Sequence, residues 1–216
     1  MRSDTPFRRG GHVQVLITAG ATRNPIDAVR FLSARSSGTT GVAVARALQA
    51  RGAEVWLLGS DVARSLAPEL PGEEYQSTRD LLARVQAWVT HHPDGCVVHA
   101  SAVGDYEAAP NAGKLPSGQA ELTLTLRPTP KIADQVRGWG LTGRFVTFKA
   151  APPETSGPEL ERIASAQRAR TRCDLVFANV LGRLGEQVAL VGEDVRWFDR
   201  RSDGLDALID AILPAR

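Results

Sequence analysis

Residues 15–41 read VLITAGATRNPIDAVRFLSARSSGTTG, and the fold turns on how this stretch is understood. It opens in an apolar run rich in β-branched residues (Val13, Val15, Leu16, Ile17, Thr18) that stops at Gly20. Pro25 and a polar segment follow, and then Ser36, Ser37 and Gly38 open onto a helical pattern over residues 41–50. The stretch is therefore a strand, a long loop and a helix N-terminus. Free N–H groups at a helix start attract anions. Hydroxyls from Ser36, Ser37, Thr39 and Thr40 stand beside them, and Gly38 and Gly41 have no side chain to block approach, so the geometry is a cradle for phosphate. The same residue types also cap helices and turn loops, and this stretch alone leaves both readings open.

Working outward, Val42, Val44, Ala45 and Leu48 give the helix a buried side, and Gly52 ends it. Residues 53–58 (AEVWLL) form a second strand, apolar along its length as a parallel strand covered on both faces should be. Pro68 and Pro71 mark a loop, and Thr78 is placed to cap a helix that buries Leu81, Leu82, Val85, Trp88 and Val89. Residues 96–100 (CVVHA) are a third buried strand and run into Ser101, Ala102, Val103, Gly104, Asp105 and Tyr106. Ligands of open parallel sheets bind beyond the carboxyl ends of the strands, which puts Asp105 where chemistry would occur, although a turn residue has the same signature. The irregular residues 107–119 carry a single lysine, Lys114, either a solvated charge or a lid cation over a bound nucleotide.

The alternating run ELTLTL at 121–126 predicts a strand with one wet face, closed by Pro128 and Pro130. A helix over 131–137, a strand over 144–149, a polar helix over 158–172 and a strand over 174–179 follow, the last ending at Asn179 on the same carboxyl edge. Residues 188–191 and 195–198 read as a hairpin, and 204–213 as an amphipathic helix. The expected architecture is α/β: a Rossmann-like, doubly wound, mostly parallel sheet with an added antiparallel hairpin. It occupies one domain over 13–216 behind a flexible tail over 1–12.

The chain has 216 residues, 43% of them hydrophobic and 23% charged, with a net charge of +2, so a sizeable core is expected and nucleic acid is not an expected partner. No apolar run is long enough for a membrane span and the N-terminus lacks a signal core, which places the protein in the cytoplasm. Cys96 and Cys173 read as buried small residues; no spacing suggests a disulfide or zinc. A nicotinamide dehydrogenase is disfavoured, since no G-x-G-x-x-G joins strand to helix and the second strand ends at Leu58 and Gly59 rather than at an acid.

At this point the chain resembles the phosphopantothenoylcysteine synthetases, which form the second half of a bifunctional coenzyme A biosynthesis protein in many bacteria. The resemblance is carried by ITAGATRNPIDAVRFLSARSSGTTG, SAVGDY, the lone Lys114, RPTPKI, TFKA and DLVFAN, in the family's order. It implies a ligase that joins 4'-phosphopantothenate to cysteine through an acyl-nucleotide, using CTP or ATP and magnesium, as a homodimer and with a separate decarboxylase as a further partner. By the match, Gly20, Ser36, Ser37, Gly38 and Gly41 meet the phosphates, while Ser101, Ala102 and Asp105 line the cleft, Asp105 also holding the metal. Lys114 and Asp105 are the catalytic candidates; Pro130, Lys131, Ile132, Ala133 and Phe148 shape the base pocket, and Asn179 binds the nucleotide.

The departures matter as much. Where the family has an asparagine before x-S-S-G, this chain has Ala34, and Lys131, Ala151 and Val180 replace family acids. These changes keep a second expectation open: a diverged paralogue that binds nucleotide without ligating, or that acts on a different carboxylate. For a dimer contact, the residues suggest the edge of the 188–198 hairpin and the helix face of Leu205, Leu208, Ile209 and Ile212.

Overall fold

The structure, a computed structural model, describes residues 8–9, 12–109, 113–183 and 187–213. A short β1 (Arg8–Arg9) pairs antiparallel with the start of β2 (His12–Ala19), so sheet pairing reaches back into the segment expected to be a tail. Between β2 and the first helix, the long loop folds into a small hairpin, β3 (Arg23–Pro25) and β4 (Phe31–Ser33). Then come α1 (Thr39–Ala50), β5 (Glu54–Gly59), α2 (Asp61–Leu66), β6 (Gly72–Glu74), α3 (Thr78–His91) and β7 (Cys96–His99). A second ribbon, β8 (Tyr106–Ala108) with β9 (Leu126–Pro128), stands apart from the main sheet. The chain ends with α4 (Ile132–Gln135) and a 3-10 turn, β10 (Phe145–Ala151), α5 (Gly157–Thr171), β11 (Leu175–Val180), β12 (Val188–Val191), β13 (Val195–Phe198) and α6 (Arg201–Ile212).

The main sheet runs β13-β12-β11-β10-β7-β2-β5-β6. The six strands from β11 to β6 are parallel, and β12 and β13 add antiparallel at one edge. The expected Rossmann-like class is what the chain adopts. From β2 the chain winds outward through β5 and β6, then returns to the other side of β2 at β7, and this reversal opens a crevice at the carboxyl ends of the two central strands.

Alternation along each strand divides the core. Val15, Ile17, Val98 and Val146 meet Val42, Leu48, Leu208 and Ile212 of α1 and α6 on one face. Leu16, Val97, Phe145 and Val176 meet Leu81, Val85, Ile132 and Leu160 of α3, α4 and α5 on the other. Each such side chain, taken fully out of water, contributes about 1.5–3 kcal/mol, so both helix layers are needed. Cys96 and Cys173 are buried and unbridged, as expected. Among the described residues no helix is long and apolar enough to cross a membrane.

Several local expectations are corrected. The cap of α3 is Ser77, whose Oγ accepts from Asp80 N at 3.1 Å; Thr78 is the first helical residue, and its amide donates to Asn24 Oδ1 at 2.9 Å. The span around Pro68 and Pro71 holds α2 and β6, each too short to display a period. The alternating run 121–126 is not a strand over its length: only Leu126 enters β9, and Leu122 and Leu124 lie exposed, because no neighbouring strand or core covers them. The last helix begins earlier, at Arg201. Its apolar residues Leu208, Ile209 and Ile212 are buried in the protein's own core, which removes that helix face as a dimer contact.

Candidate active site

A cleft of about 870 Å³ opens beyond the carboxyl ends of the central strands. Ser36, Ser37, Gly38 and Gly41 all line it. Gly38 is the N-cap of α1 with φ 82°, no side chain caps the helix, and its first turn holds no acid. Apart from a long 3.4 Å contact from Thr39 N to Ser37 Oγ, the amides of that turn have no side-chain acceptor among the described residues. A helix start in this state attracts anions.

The glycines serve a purpose beyond leaving room for a ligand. A Cβ at Gly38 would lie 2.7 Å from Gly20 N and 2.7 Å from Ala63 Cβ, and one at Gly41 would lie 2.7 Å from Ala19 Cβ. The empty positions are filled by protein, so the helix start can sit directly on the end of β2. Gly20 itself, φ 94°, does not line the cleft; it lies under Gly38 and accepts from Ala102 N through its carbonyl at 2.8 Å.

Ser101, Ala102, Asp105, Lys131, Ile132, Ala133, Phe148 and Asn179 also line the cleft, whereas Pro130 does not. Ser101 is tied at both ends: its amide donates to Thr18 Oγ1 at 3.2 Å, and its hydroxyl lies 2.9 Å from Tyr75 OH, which donates to Ala19 O. Buried Asn24 donates to Tyr106 O at 2.9 Å and so staples the β3–β4 loop against the segment after β7. Asp105 is exposed at the rim and pairs with Lys131 Nζ at 2.5 Å. Among the described residues no group of three or more His, Cys, Asp or Glu side chains could enclose a metal. Lone Asp105 fits only the looser arrangement in which magnesium is held by one or two carboxylates together with substrate phosphates.

Lys114 is exposed and does not line the cleft. Its loop is held elsewhere: Leu115 N donates to Asp27 Oδ2 at 2.9 Å, and Ala28 N donates to Gly113 O at 3.4 Å. The Leu115 amide, joined by those of Val29 and Arg30 and by the Arg30 guanidinium, holds the Asp27 carboxyl well below the usual carboxylate range.

The sequence reading missed several lining residues. Five cations (Arg35, Lys131, Lys149, Arg170, Arg201) face two carboxylates (Asp105, Asp134). Lys131 pairs with Asp105 and Arg170 with Asp134, which leaves three cations in surplus. Arg201 is the most constrained of them. It donates to Asn179 Oδ1 at 3.1 Å and to Thr40 Oγ1 at 3.0 Å, with its guanidinium 5.1 Å from the centre of the Phe177 ring. No carboxylate among the described residues pairs with it, and burial lowers its pKa from the ordinary value. A half-buried guanidinium beside a helix N-terminus, with no anion of its own, is a ready partner for phosphate. The signal was Arg201 itself, just ahead of the apolar pattern of the last helix.

His99, Thr147 and Gln167 line the other side of the cleft. His99 stood inside CVVHA, where an apolar strand pattern concealed it. Ala34 is exposed and adjoins the cleft only through its neighbour Arg35.

Residues 11–204 match the family described as DNA/pantothenate metabolism flavoprotein C-terminal domain. The chain is 38% identical over 189 residues to the coenzyme A biosynthesis bifunctional protein CoaBC of Thermococcus kodakarensis, covering 84% of this chain and 45% of that protein. It is 34% identical over 172 residues to CoaBC of Escherichia coli K12, covering 78% and 41%. The chain thus spans less than half the length of these curated relatives. Among solved structures, the DNA/pantothenate metabolism flavoprotein from Streptococcus pneumoniae superposes with a TM-score of 0.82 at 25% identity, covering 93% of this chain and 98% of that one. The C-terminal domain of a CoaBC protein shares the fold, with a TM-score of 0.69 at 20% identity over 97% and 96% of the two chains. With sequence and fold in agreement, the chain belongs to the DNA/pantothenate metabolism flavoprotein C-terminal domain family.

Proposed function

We propose that the protein is a ligase joining 4'-phosphopantothenate to cysteine through an acyl-nucleotide, a step of coenzyme A biosynthesis. The observation that carries this reading is the cleft itself: an uncapped helix start and three surplus cations, in a chain of this family. A carboxylate oxygen of the substrate attacks the α-phosphorus of CTP or ATP, and the bond to pyrophosphate breaks. The cysteine amine then attacks the acyl carbon, loses a proton, and the nucleoside monophosphate leaves with the electron pair of the C–O bond. Both steps depend on position and on neutralised charge. The amides of residues 36–41 and the Arg201 guanidinium would hold phosphate oxygens, and Asn179 is kept in place by Arg201. Asp105 would give one oxygen to magnesium, which when bound neutralises charge on the triphosphate. Lys114 is assigned to the triphosphate as a cation brought over from its own loop.

The test is release of pyrophosphate and formation of amide with 4'-phosphopantothenate, cysteine and either nucleotide. Failure of both steps with native protein overturns the ligase reading. A second reading, nucleotide binding without ligation or action on another carboxylate, is favoured by Ala34, whose methyl group supplies no hydrogen bond where relatives are expected to use an amide. Pyrophosphate release without amide formation would select it.

A homodimer fits best through the exposed apolar residues of the two small ribbons, among them Val29, Phe31, Tyr106 and Leu126. Removing such a patch from water favours association. Sedimentation that reports a monomer over a wide concentration range would exclude it. A separate decarboxylase, acting on the carboxylate that cysteine brings into the product, is the partner assigned downstream.

A further inference from the structure

We infer that His99 and Gln167 form an uncharged donor and acceptor pair that reads an amide-like edge of the ligand, a function distinct from phosphate binding; the inference rests on the nucleotide reading above. Thr18, His99 and Thr147 stand in register on three neighbouring strands. Thr18 is fully buried, and its Oγ1 already accepts from Ser101 N at 3.2 Å. The hydroxyl proton has one acceptor among the described residues, His99 Nδ1 at 3.0 Å. The arrangement that satisfies this buried hydroxyl proton makes Nδ1 the acceptor of the ring and puts the hydrogen on Nε2. His99 is buried but lines the cleft, and its Nε2 has no partner among the described residues.

Gln167 is fixed in the same way. Its Nε2 donates to Thr147 Oγ1 at 2.9 Å and to Phe148 O at 3.1 Å, which uses both amide hydrogens and leaves Oε1 as an acceptor with no partner among the described residues. Burial pushes the His99 pKa down to about 4, so the ring is neutral at physiological pH. Of the charges nearby, Lys131 pairs with Asp105 and Arg170 with Asp134, while Lys149, two residues beyond Thr147 on β10, also lines the cleft and has no carboxylate partner among the described residues. A neutral donor beside a neutral acceptor has little attraction for phosphate. Its complement is a planar group that presents an acceptor next to an N–H, and two parts of the proposed substrates qualify: the edge of a nucleobase and an amide of the pantothenate arm.

Calorimetry with four probes separates them: CTP, ATP, inorganic tripolyphosphate and 4'-phosphopantothenate, against native protein, His99→Ala, His99→Gln and Gln167→Leu. His99→Ala and Gln167→Leu are expected to weaken one ligand class about five- to twentyfold, as loss of a hydrogen bond to a fixed partner does. Tripolyphosphate affinity should stay native, and His99→Gln, which restores a neutral N–H, should recover part of the loss. Weakening confined to CTP or ATP assigns the pair to the base, and weakening confined to phosphopantothenate assigns it to the amide. Native affinity for all four probes in both variants overturns the inference, as does a parallel loss of tripolyphosphate. If native protein binds neither nucleotide nor tripolyphosphate, the nucleotide reading falls and takes this inference with it.

Discussion

On the side of the cleft proposed for phosphate, around residues 36–41, the polar groups on offer are mostly backbone amides; on the side of His99 and Gln167 they are side chains held by their neighbours. The difference has consequences for mutation. A site made of backbone depends on how closely the chain can pass over itself, and here Gly38 lies on Gly20 with no space between them. Binding and folding are then inseparable. A site made of side chains can lose a contact while the fold persists, and selectivity becomes separable from stability.

The largest effect that would test this contrast is at Gly38. Gly38→Val puts a branched side chain at φ 82° and 2.7 Å from backbone and Cβ atoms, and should lower stability by about 3 kcal/mol or more in urea unfolding. Ser36→Ala, on the exposed part of the same cradle, should stay within about 0.5 kcal/mol of native. A Gly38→Val protein as stable as native would break the comparison.

Next comes the pH dependence of the buried imidazole. The folded pKa of His99 is about 4 and the unfolded one about 6.5, so between these values the unfolded chain takes up a proton that the native state refuses. Stability should therefore fall as the pH falls from about 6.5 to about 4, by about 2–3 kcal/mol from this group, and then level off. Other groups titrate in the same window, so the measurement is the difference between native protein and His99→Gln, whose curve should be flatter. Parallel curves would mean that the ring is already charged in the folded state.

Arg201→Met sharpens the other side. Loss of a charge-assisted contact to phosphate should reduce tripolyphosphate and nucleotide affinity together by about tenfold or more. Stability should stay within about 1–2 kcal/mol of native, because relief of a half-buried guanidinium without a carboxylate partner is offset by loss of the donor to buried Asn179 Oδ1. A fall in nucleotide affinity with tripolyphosphate unchanged would move Arg201 to the side that reads the uncharged edge.

The smallest expected change is at Ala34. Ala34→Asn should speed amide formation by about tenfold relative to pyrophosphate release in quench-flow, with no change in tripolyphosphate affinity. Equal rates in the native protein, with no gain from asparagine, would remove Ala34 from the account of the second step.

Much of the fold was legible because its signals are local. Alternating and continuous apolar runs marked the parallel strands, and β12 and β13 were readable from the turn at Gly192, Glu193 and Asp194. The run at 121–126 had the same alternation and does not form the expected strand, since a pattern states which side could be buried and not whether anything will cover it. The apolar face of α6 misled in the opposite direction: it suggested a contact with another chain and is covered by this one.

The sequence by itself determined the class of sheet, the strand-loop-helix start that carries the proposed phosphate cradle, and the resemblance to the family, because strand periods, a glycine without a side chain and a run of hydroxyls at a helix start act over neighbouring residues. Only the tertiary structure decided that His99 of β7, Gln167 of α5 and Arg201 of α6 share a cleft with that cradle, and that Lys114 does not line it. Those residues are far apart in the chain, and what unites them is the reversal of strand order beside β2, which gathers strand ends and helix faces at one edge. Whether a histidine in an apolar run is filler or a donor depends on which nitrogen its neighbour occupies, and that neighbour, Thr18, lies on another strand.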